Sequence, residues 1–468
     1  MTVTSEIAHL PGRHRRPVDL QIGLDVDRIR QHFDLARSGR VVTNNAASTQ
    51  PPRQLLDLYR SLIPNYENVH RGQSTASLRT TELFEASYDT IAGWLNAPSR
   101  RSIATYRNTT EAHNAVMYSL LTEFRDGDNI VTTMLEHNSN FVPWYALCRE
   151  ILPQFGRQVE CRVARFDRTT GELDLGHLAS LVDSRTKLIC CTGGSNFLGT
   201  KPPIQIVRDI ANGSGYQQPN GERRSRLLVD GAQLVPSSRV DVRELDVDYL
   251  SFSFHKFMAP FGVGVLYAKE HLLAESRPFL YGGDMIADGG VSVDHVDYNE
   301  LPWKYSAGTP NILGVIVSAQ ALRLAVDLVG AAGPTTYFRN NEAIPPAAVA
   351  TTMSAINTHT QQLARRAIDL LGGIPGLTIH GPADAQYRSP LVAFTVDGWD
   401  PVVLAEALNR VGVESRAGCH CAALAHRHLG ITASCRFSFY LYNTMADVER
   451  AVGAVRDLVA GLSGEQMP

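Results

Sequence analysis

At 468 residues the chain is too long for one simple core and fits two closely packed domains. Apolar residues make up 44% and charged residues 19%, an ordinary globular balance that excludes wholesale disorder. A formal charge of −3 gives nucleic acid and anionic membrane surfaces no electrostatic hold on the chain.

The first residues carry one basic cluster, Arg13, Arg15 and Arg16, and no apolar run of the kind that opens a secretory signal. Residues 1–40 read as a solvated arm packing on the C-terminal domain, with a short amphipathic helix from Val26 to Ala36. From Val41 to about Pro310, strand-like apolar runs alternate with helical patterns; Asn129–Thr133, Lys187–Thr192, Leu227–Val229 and Tyr249–Phe254 are the clearest strands. Such alternation predicts an α/β domain over 41–310 with a mostly parallel sheet. Between the helical Ile204–Ala211 and Leu227, residues 212–226 are rich in Gly, Asn, Gln and Pro and read as an exposed loop.

The most apolar long stretch, Ile312 to Gly333, is interrupted by Gln320, Arg323 and Asp327. Polar residues three to four apart mark one face of a packed helix, not a bilayer span. The Ala/Pro-rich IPPAAVATT near residue 350 reads as a linker or loop. Residues 311–468 form a smaller α/β unit that ends in a legible helix. Asn443 and Thr444 cap it, Asp447 sits in its first turn, and Val448, Val452, Val455, Val459 and Leu462 make its apolar stripe. Seven scattered cysteines, an odd count, fit reduced thiols better than a disulfide framework, so a cytoplasmic location is expected.

Two strand ends carry the strongest chemical signal. The apolar run from Tyr249 leads straight into His255-Lys256 and a glycine-containing turn. In an open α/β sheet, sites lie beyond the carboxyl ends of strands, and a lysine desolvated there has a lowered pKa and an amine free to attack a carbonyl. An exposed loop lysine is the plain alternative. Twenty-six residues earlier, Leu227-Leu-Val-Asp230-Gly-Ala-Gln233 puts a carboxylate at an equivalent strand end. There it suits the protonated pyridine nitrogen of pyridoxal phosphate, or merely caps a helix. Arg107-Asn-Thr109-Thr110-Glu-Ala112 opens a helix whose hydroxyls and free N–H groups suit a phosphate, or form an ordinary cap.

Taken together, the chain resembles the class V aminotransferase-fold enzymes that use pyridoxal phosphate, closest to the group II cysteine desulfurases and selenocysteine lyases. The matching stretches begin at Asn45-Ala-Ala-Ser-Thr and Asn68-Val-His-Arg-Gly72, and continue with Thr109-Thr-Glu-Ala112, Glu136-His137 and Val142-Pro-Trp144. Ser195-Asn-Phe-Leu-Gly199, Asp230-Gly-Ala-Gln233, Ser253-Phe-His-Lys256 and Ala307-Gly-Thr-Pro-Asn311 follow in family order. Arg416-Ala-Gly-Cys-His-Cys421, Arg436-x-Ser438 and Tyr442-Asn-Thr444 complete the pattern.

The resemblance implies PLP fold type I: a large domain on a mostly parallel seven-stranded sheet, and a smaller C-terminal α/β domain carrying the Cys421 loop. It implies that Lys256 holds the cofactor covalently, that Asp230 pairs with the pyridinium, and that His137 stacks on the ring. Asn196 and Gln233 contact the phenolic oxygen; Thr109, Thr110, Ser253 and His255 hold the phosphate. Thr309 reaches the phosphate of a neighbouring subunit, which implies a homodimer with a shared active site. Arg436 clamps the substrate carboxylate beside Asn45, a task a bidentate guanidinium suits. Cys421 falls at the position of the desulfurase nucleophile, with His420 beside it to help deprotonate it. The product is then alanine and a Cys421 persulfide that a sulfur-acceptor protein collects.

Departures leave other outcomes open. Asn44 stands where an aspartate is usual, Ser74 where a histidine lies near the reactive cysteine, and Gly193 where a histidine precedes Ser195 by two residues. Competing readings are a C–S β-lyase of cysteine or cystine, another class V reaction such as epimerisation, and a metal- or partner-binding protein on this fold. Cys419, Cys421, His420, His426 and His428 lie within ten residues, but their spacing is not that of a usual zinc knuckle, and no metal site is assigned.

Overall fold

The computed structural model describes residues 23–461 except 332 and 334. Seven strands form the central sheet: β1 (Ile103–Tyr106), β2 (Asn129–Thr133), β3 (Glu160–Ala164), β4 (Thr186–Thr192), β5 (Arg226–Asp230), β6 (Tyr249–Ser253) and β7 (Gly264–Ala268). Their order across the sheet is β1-β7-β6-β5-β4-β2-β3. Only β7 runs against its neighbours, so the remaining ladders are parallel. Strands β4, β5 and β6 are buried along their whole length, as a parallel sheet covered on both faces requires. Successive side chains go to opposite cores: Val131, Ile189 and Leu250 pack on one face, Ile130, Leu188 and Tyr249 on the other.

Helices α1 (Thr75–Trp94), α2 (Thr109–Leu120) and α3 (Ile312–Val329) flank this sheet. Among the described residues α3 is the one helix long and apolar enough to cross a bilayer, yet 89% of it is buried inside the protein. Gln320, Arg323 and Asp327, which interrupt its apolar run, each have a local task. Gln320 accepts from the Arg339 N–H, Arg323 donates to Thr90 and to the Glu342 carbonyl, and Asp327 accepts from the Tyr337 and Phe338 N–H groups.

A second, antiparallel sheet follows, built from β8 (Leu377–His380), β9 (Leu391–Val396), β10 (Arg416–Gly418) and β11 (Ser434–Ser438) in the order β8-β9-β11-β10. Helices α4 (Pro346–Leu371) and α5 (Met445–Gly461) cover it through Leu363, Ala367, Val448, Val452 and Val455. Thr444 caps α5: its hydroxyl accepts from the Asp447 N–H at 3.1 Å, and Asp447 accepts from the Thr444 N–H at 3.2 Å. Leu462 lies outside the described residues.

Three local expectations change. IPPAAVATT is no linker; Pro346 opens α4, where a proline's fixed φ and missing N–H cost nothing, and Ala348, Val349 and Thr352 are buried. The segment 212–226 is only half exposed. Tyr216 and Gln218 fold inward from a hairpin bridged at Gln217 and Arg223; the Tyr216 hydroxyl donates to Asp128 at 2.9 Å, and the Lys187 ammonium lies 5.2 Å from its ring. The helix expected over Val26 to Ala36 is two short ones, Val26–Arg30 and Leu35–Ser38. Arg30 pairs with Asp447 at 2.6 Å and Arg28 donates to the Leu328 carbonyl, so this part of the arm rests on α5 and α3. Arg13, Arg15 and Arg16 lie outside the described residues.

Candidate active site

The carboxyl ends of β2, β5 and β6 meet β10 and β11 around a cavity of about 260 Å³. On the first wall, β6 ends at Ser253 and one short turn presents Lys256, while β5 ends at Asp230. Both residues line the cavity. Burial pushes the Lys256 ammonium down to about 8 against the opposing pull of Asp230, with Arg436 and Arg416 adding to the lowering. Asp230 is fixed by the Ala232 N–H, which donates to it at 2.9 Å.

His137, just beyond β2, lines the same space. Its Nδ1 accepts from the Ser139 N–H at 3.0 Å and from the Ser139 hydroxyl at 2.8 Å, so the remaining ring proton sits on Nε2. Burial, then the Lys256 charge, lowers its pKa to about 4, which keeps the imidazole neutral. Behind Ser139 lies buried His113, which donates to the Ser139 carbonyl at 2.9 Å and accepts from Ser251 at 2.6 Å. This supporting pair has no motif signature and was not anticipated.

The phosphate-type cradle forms where α2 begins. Asn108 caps the helix by accepting from the Glu111 N–H, and Thr109 and Thr110 occupy its first turn. The Ser253 hydroxyl accepts from the Thr109 N–H at 2.8 Å and lies 2.7 Å from the Thr109 hydroxyl, tying the helix start to the end of β6. Gly264 on β7 makes this approach possible: a Cβ there would sit 2.5 Å from the Asn108 backbone. His255 completes this side, its pKa lowered to about 4 by burial and then by Lys256. Hydroxyls at a helix N-terminus form an anion site without further charge.

The opposite wall is cationic. Arg436 on β11 is buried, donates to the Asn196 carbonyl at 2.6 Å and has no carboxylate partner among the described residues, and its Nε has no hydrogen bond. Desolvation lowers its pKa to about 9, and Arg416 adds to the lowering. Arg416 also lines the cavity; the motif contained it, but sequence reasoning gave it no role. With the exposed Arg416 beside it, Arg436 makes this wall an anion receptor, because a buried cation with no acidic partner among the described residues is costly unless a ligand completes it.

Asn196 donates to the His420 carbonyl at 2.6 Å, and its buried Oδ1 has no partner. Gln233 lines the cavity and donates to the Ala46 carbonyl at 2.7 Å. Asn45 does not line it. Its amide donates to the Ser438 carbonyl at 2.8 Å and to Asn443, and accepts from the Tyr442 hydroxyl, so it braces the second wall while Ala46 and Ala47 face the cavity. Thr309 is exposed and lies outside this chain's own cavity.

Cys421 lines the cavity from the loop after β10. The chain Cys419-His420-Cys421-Ala422 is a tight turn closed by the Ala422 N–H on the Cys419 carbonyl at 2.8 Å. Its two central residues are left-handed at φ 51° and 54°, a conformation that costs a non-glycine residue roughly 1–2 kcal/mol. The Asn138 N–H donates to the Cys421 carbonyl at 2.7 Å and helps hold that geometry. His420 is a poor base: burial and the charges of Arg436 and its neighbours push it down to about 2. His426 and His428 are engaged elsewhere, with the Ala422 and Phe166 carbonyls, and among the described residues no group of three metal-ligating side chains converges.

The departures have physical counterparts. Ser74 caps α1, accepting from the Ser77 N–H at 3.1 Å. At position 193 a side chain would meet Leu234, which comes within 2.8 Å of where a Cβ would be. Asn44 accepts from Arg436 at 3.4 Å.

The aminotransferase class-V family model matches residues 41–333 and 341–451, and the chain belongs to that family. A probable cysteine desulfurase of Halobacterium salinarum is 35% identical over 440 residues, 92% of this chain and 96% of its relative. The structure of an apo cysteine desulfurase from Thermococcus onnurineus superimposes with a TM-score of 0.80 at 28% identity, covering 94% and 99% of the two chains. A cysteine desulfurase of Escherichia coli gives 0.77 at 29% identity over the same shares. Within its family, then, the chain is an enzyme of the cysteine desulfurase type, as the motif pattern implied. The family implies pyridoxal phosphate, and the site fits it: an amine of lowered pKa, a carboxylate, a hydroxyl-lined helix start and a neutral imidazole surround one cavity.

Proposed function

We propose that this protein takes sulfur from L-cysteine, giving alanine and a persulfide on Cys421. The observation that carries the reading is the cavity itself, which Lys256 lines from one wall and Cys421 and Arg436 line from the other. Pyridoxal phosphate, when bound, supplies an electron sink at the substrate Cα. Lys256 would hold it and move the proton at Cα; Asp230 would pair with its pyridine nitrogen; neutral His137 would stack on its ring; Asn196 and Gln233 would contact its phenolic oxygen. Thr109, Thr110, Ser253 and His255 take the phosphate, joined by Thr309 of a neighbouring subunit, a role its exposed position suits. The reading implies a homodimer with shared sites.

Arg436 takes the substrate carboxylate. The Cys421 sulfur forms a bond to the substrate sulfur as the substrate Cβ–S bond breaks; the sulfur stays on the protein, and the carbon skeleton leaves as alanine after protonation. Arg436 and Arg416 line the cavity with the thiol, and His420, pushed down by burial, is no base for it. An external sulfur acceptor completes the cycle. Residues 41–310 serve as the cofactor-binding domain and 311–468 as the domain carrying the Cys421 loop, with the arm resting on the latter. Seven free cysteines fit a reducing cytoplasm.

The test is to give purified protein L-cysteine and assay alanine, pyruvate and protein-bound persulfide, alongside Cys421→Ala. Alanine with a persulfide that disappears in the variant supports the reading. Pyruvate formed equally well by both proteins identifies a β-lyase and leaves Cys421 without a catalytic role.

A further inference from the structure

A thiol that lines the cavity must pass its sulfur to something outside. Here the turn that carries Cys421 is pinned at successive peptides: the His420 carbonyl accepts from Asn196 at 2.6 Å, and the Cys421 carbonyl accepts from the Asn138 N–H at 2.7 Å. A loop held at both peptides does not swing its thiol far into solvent. Two residues back in the same turn stands a second thiol, Cys419, which is free, exposed and not part of the cavity lining. Between them His420 is 3% exposed, lines the cavity and keeps a ring nitrogen, Nδ1, with no hydrogen-bond partner, while its Nε2 meets Ser434 at 3.1 Å.

We propose that Cys419 is a second sulfur-carrying site, which takes the sulfane sulfur from Cys421 and presents it at the surface to an external thiol. The inference rests on the reading of Cys421 as first acceptor. The step is thiol–persulfide exchange. The Cys419 thiolate forms a bond to the terminal sulfur of the Cys421 persulfide, the Cys421 S–S bond breaks, and Cys421 leaves as thiolate. No oxidant is required, since one S–S bond replaces another. The reach is short: consecutive Cα atoms are 3.8 Å apart, so those of 419 and 421 are at most about 7.6 Å apart and closer in a closed turn. Cysteines that exchange sulfur directly have Cα atoms about 4.4–6.8 Å apart, a range that lies within this reach.

Holoenzyme is mixed with L-cysteine without reductant, quenched at intervals by alkylation and digested. The peptide from Ala417 to Arg427 carries both thiols, and its fragment masses place the persulfide. The expected result is label first on Cys421 and then on Cys419, with C419S labelled on Cys421 alone. In C419S, the rate of sulfur transfer to a thiol-bearing protein falls at least fivefold relative to the same variant's rate with a small dithiol. Label confined to Cys421 in the unaltered protein while alanine forms overturns the relay and leaves the desulfurase reading intact. Label on Cys419 in C421S overturns the order of transfer. No persulfide on either residue, with pyruvate as product, removes the underlying reading instead.

Discussion

The two walls of the cavity are built on different principles. The wall of β5, β6 and α2 is a set of strand ends and a helix start, where Asp230, Lys256, Thr109 and Ser253 are held by the buried parallel sheet. The wall of β10 and β11 presents Arg416, Arg436 and a turn with two left-handed non-glycine residues, held in place by hydrogen bonds to loops of the first wall. The first wall's chemistry follows from its fold; the second's depends on contacts between units far apart in the chain. Cofactor retention should therefore tolerate damage to the second wall, and sulfur chemistry should tolerate damage to neither.

The largest effect should come from the first wall. Lys256→Ala removes the group that moves the Cα proton and lowers alanine formation from L-cysteine by more than about 10³-fold, within the range that positioned acid–base and nucleophilic groups supply. A variant keeping a tenth of the rate would break the comparison. On the second wall, Arg436→Lys replaces a two-pronged donor by a point charge and raises KM for L-cysteine about 10- to 100-fold, with cofactor absorbance retained. Steady-state kinetics beside the visible spectrum separate the two readouts.

The lowered pKa of Lys256 adds a pH dependence. With its value near 8 instead of the ordinary 10.5, the neutral amine gains about tenfold per pH unit below 8 and levels off above it. The rate at which cofactor-free protein takes up pyridoxal phosphate should follow that curve; a rate still climbing at pH 10 would show that burial does not act on this amine. The smallest effect is structural. Gly264→Ala pushes a Cβ toward the Asn108 backbone at 2.5 Å, and should lower stability by about 1–3 kcal/mol with weaker cofactor retention, read by thermal melting.

This contrast also explains what the sequence made legible. Lys256 and Asp230 could be read because an apolar run leading into a charged residue and a glycine turn is a local pattern, and the sheet then supplies the convergence. Asn45 could not be placed that way. Its partners Ser438, Tyr442 and Asn443 lie almost four hundred positions away, and only the folded contact shows that its amide is already engaged. Tyr216 sits in a segment of turn-forming composition, and it is buried because Asp128 and Lys187 await it on the sheet. Pro346 lies in an Ala/Pro-rich run whose composition reads as a linker or loop, although a proline opening a helix is a start signal. Arg416 was visible in its motif, yet its use became apparent only beside Arg436 across the sheet register.

The most direct test of the account is a single turnover without reductant, counting alanine, pyruvate and protein-bound sulfur per subunit. The account predicts alanine and sulfane sulfur on the Cys419–Cys421 turn in equal amounts, up to about two per subunit, one for each thiol, after which turnover waits on an acceptor thiol. Continuous pyruvate release with no sulfur on the protein would contradict it.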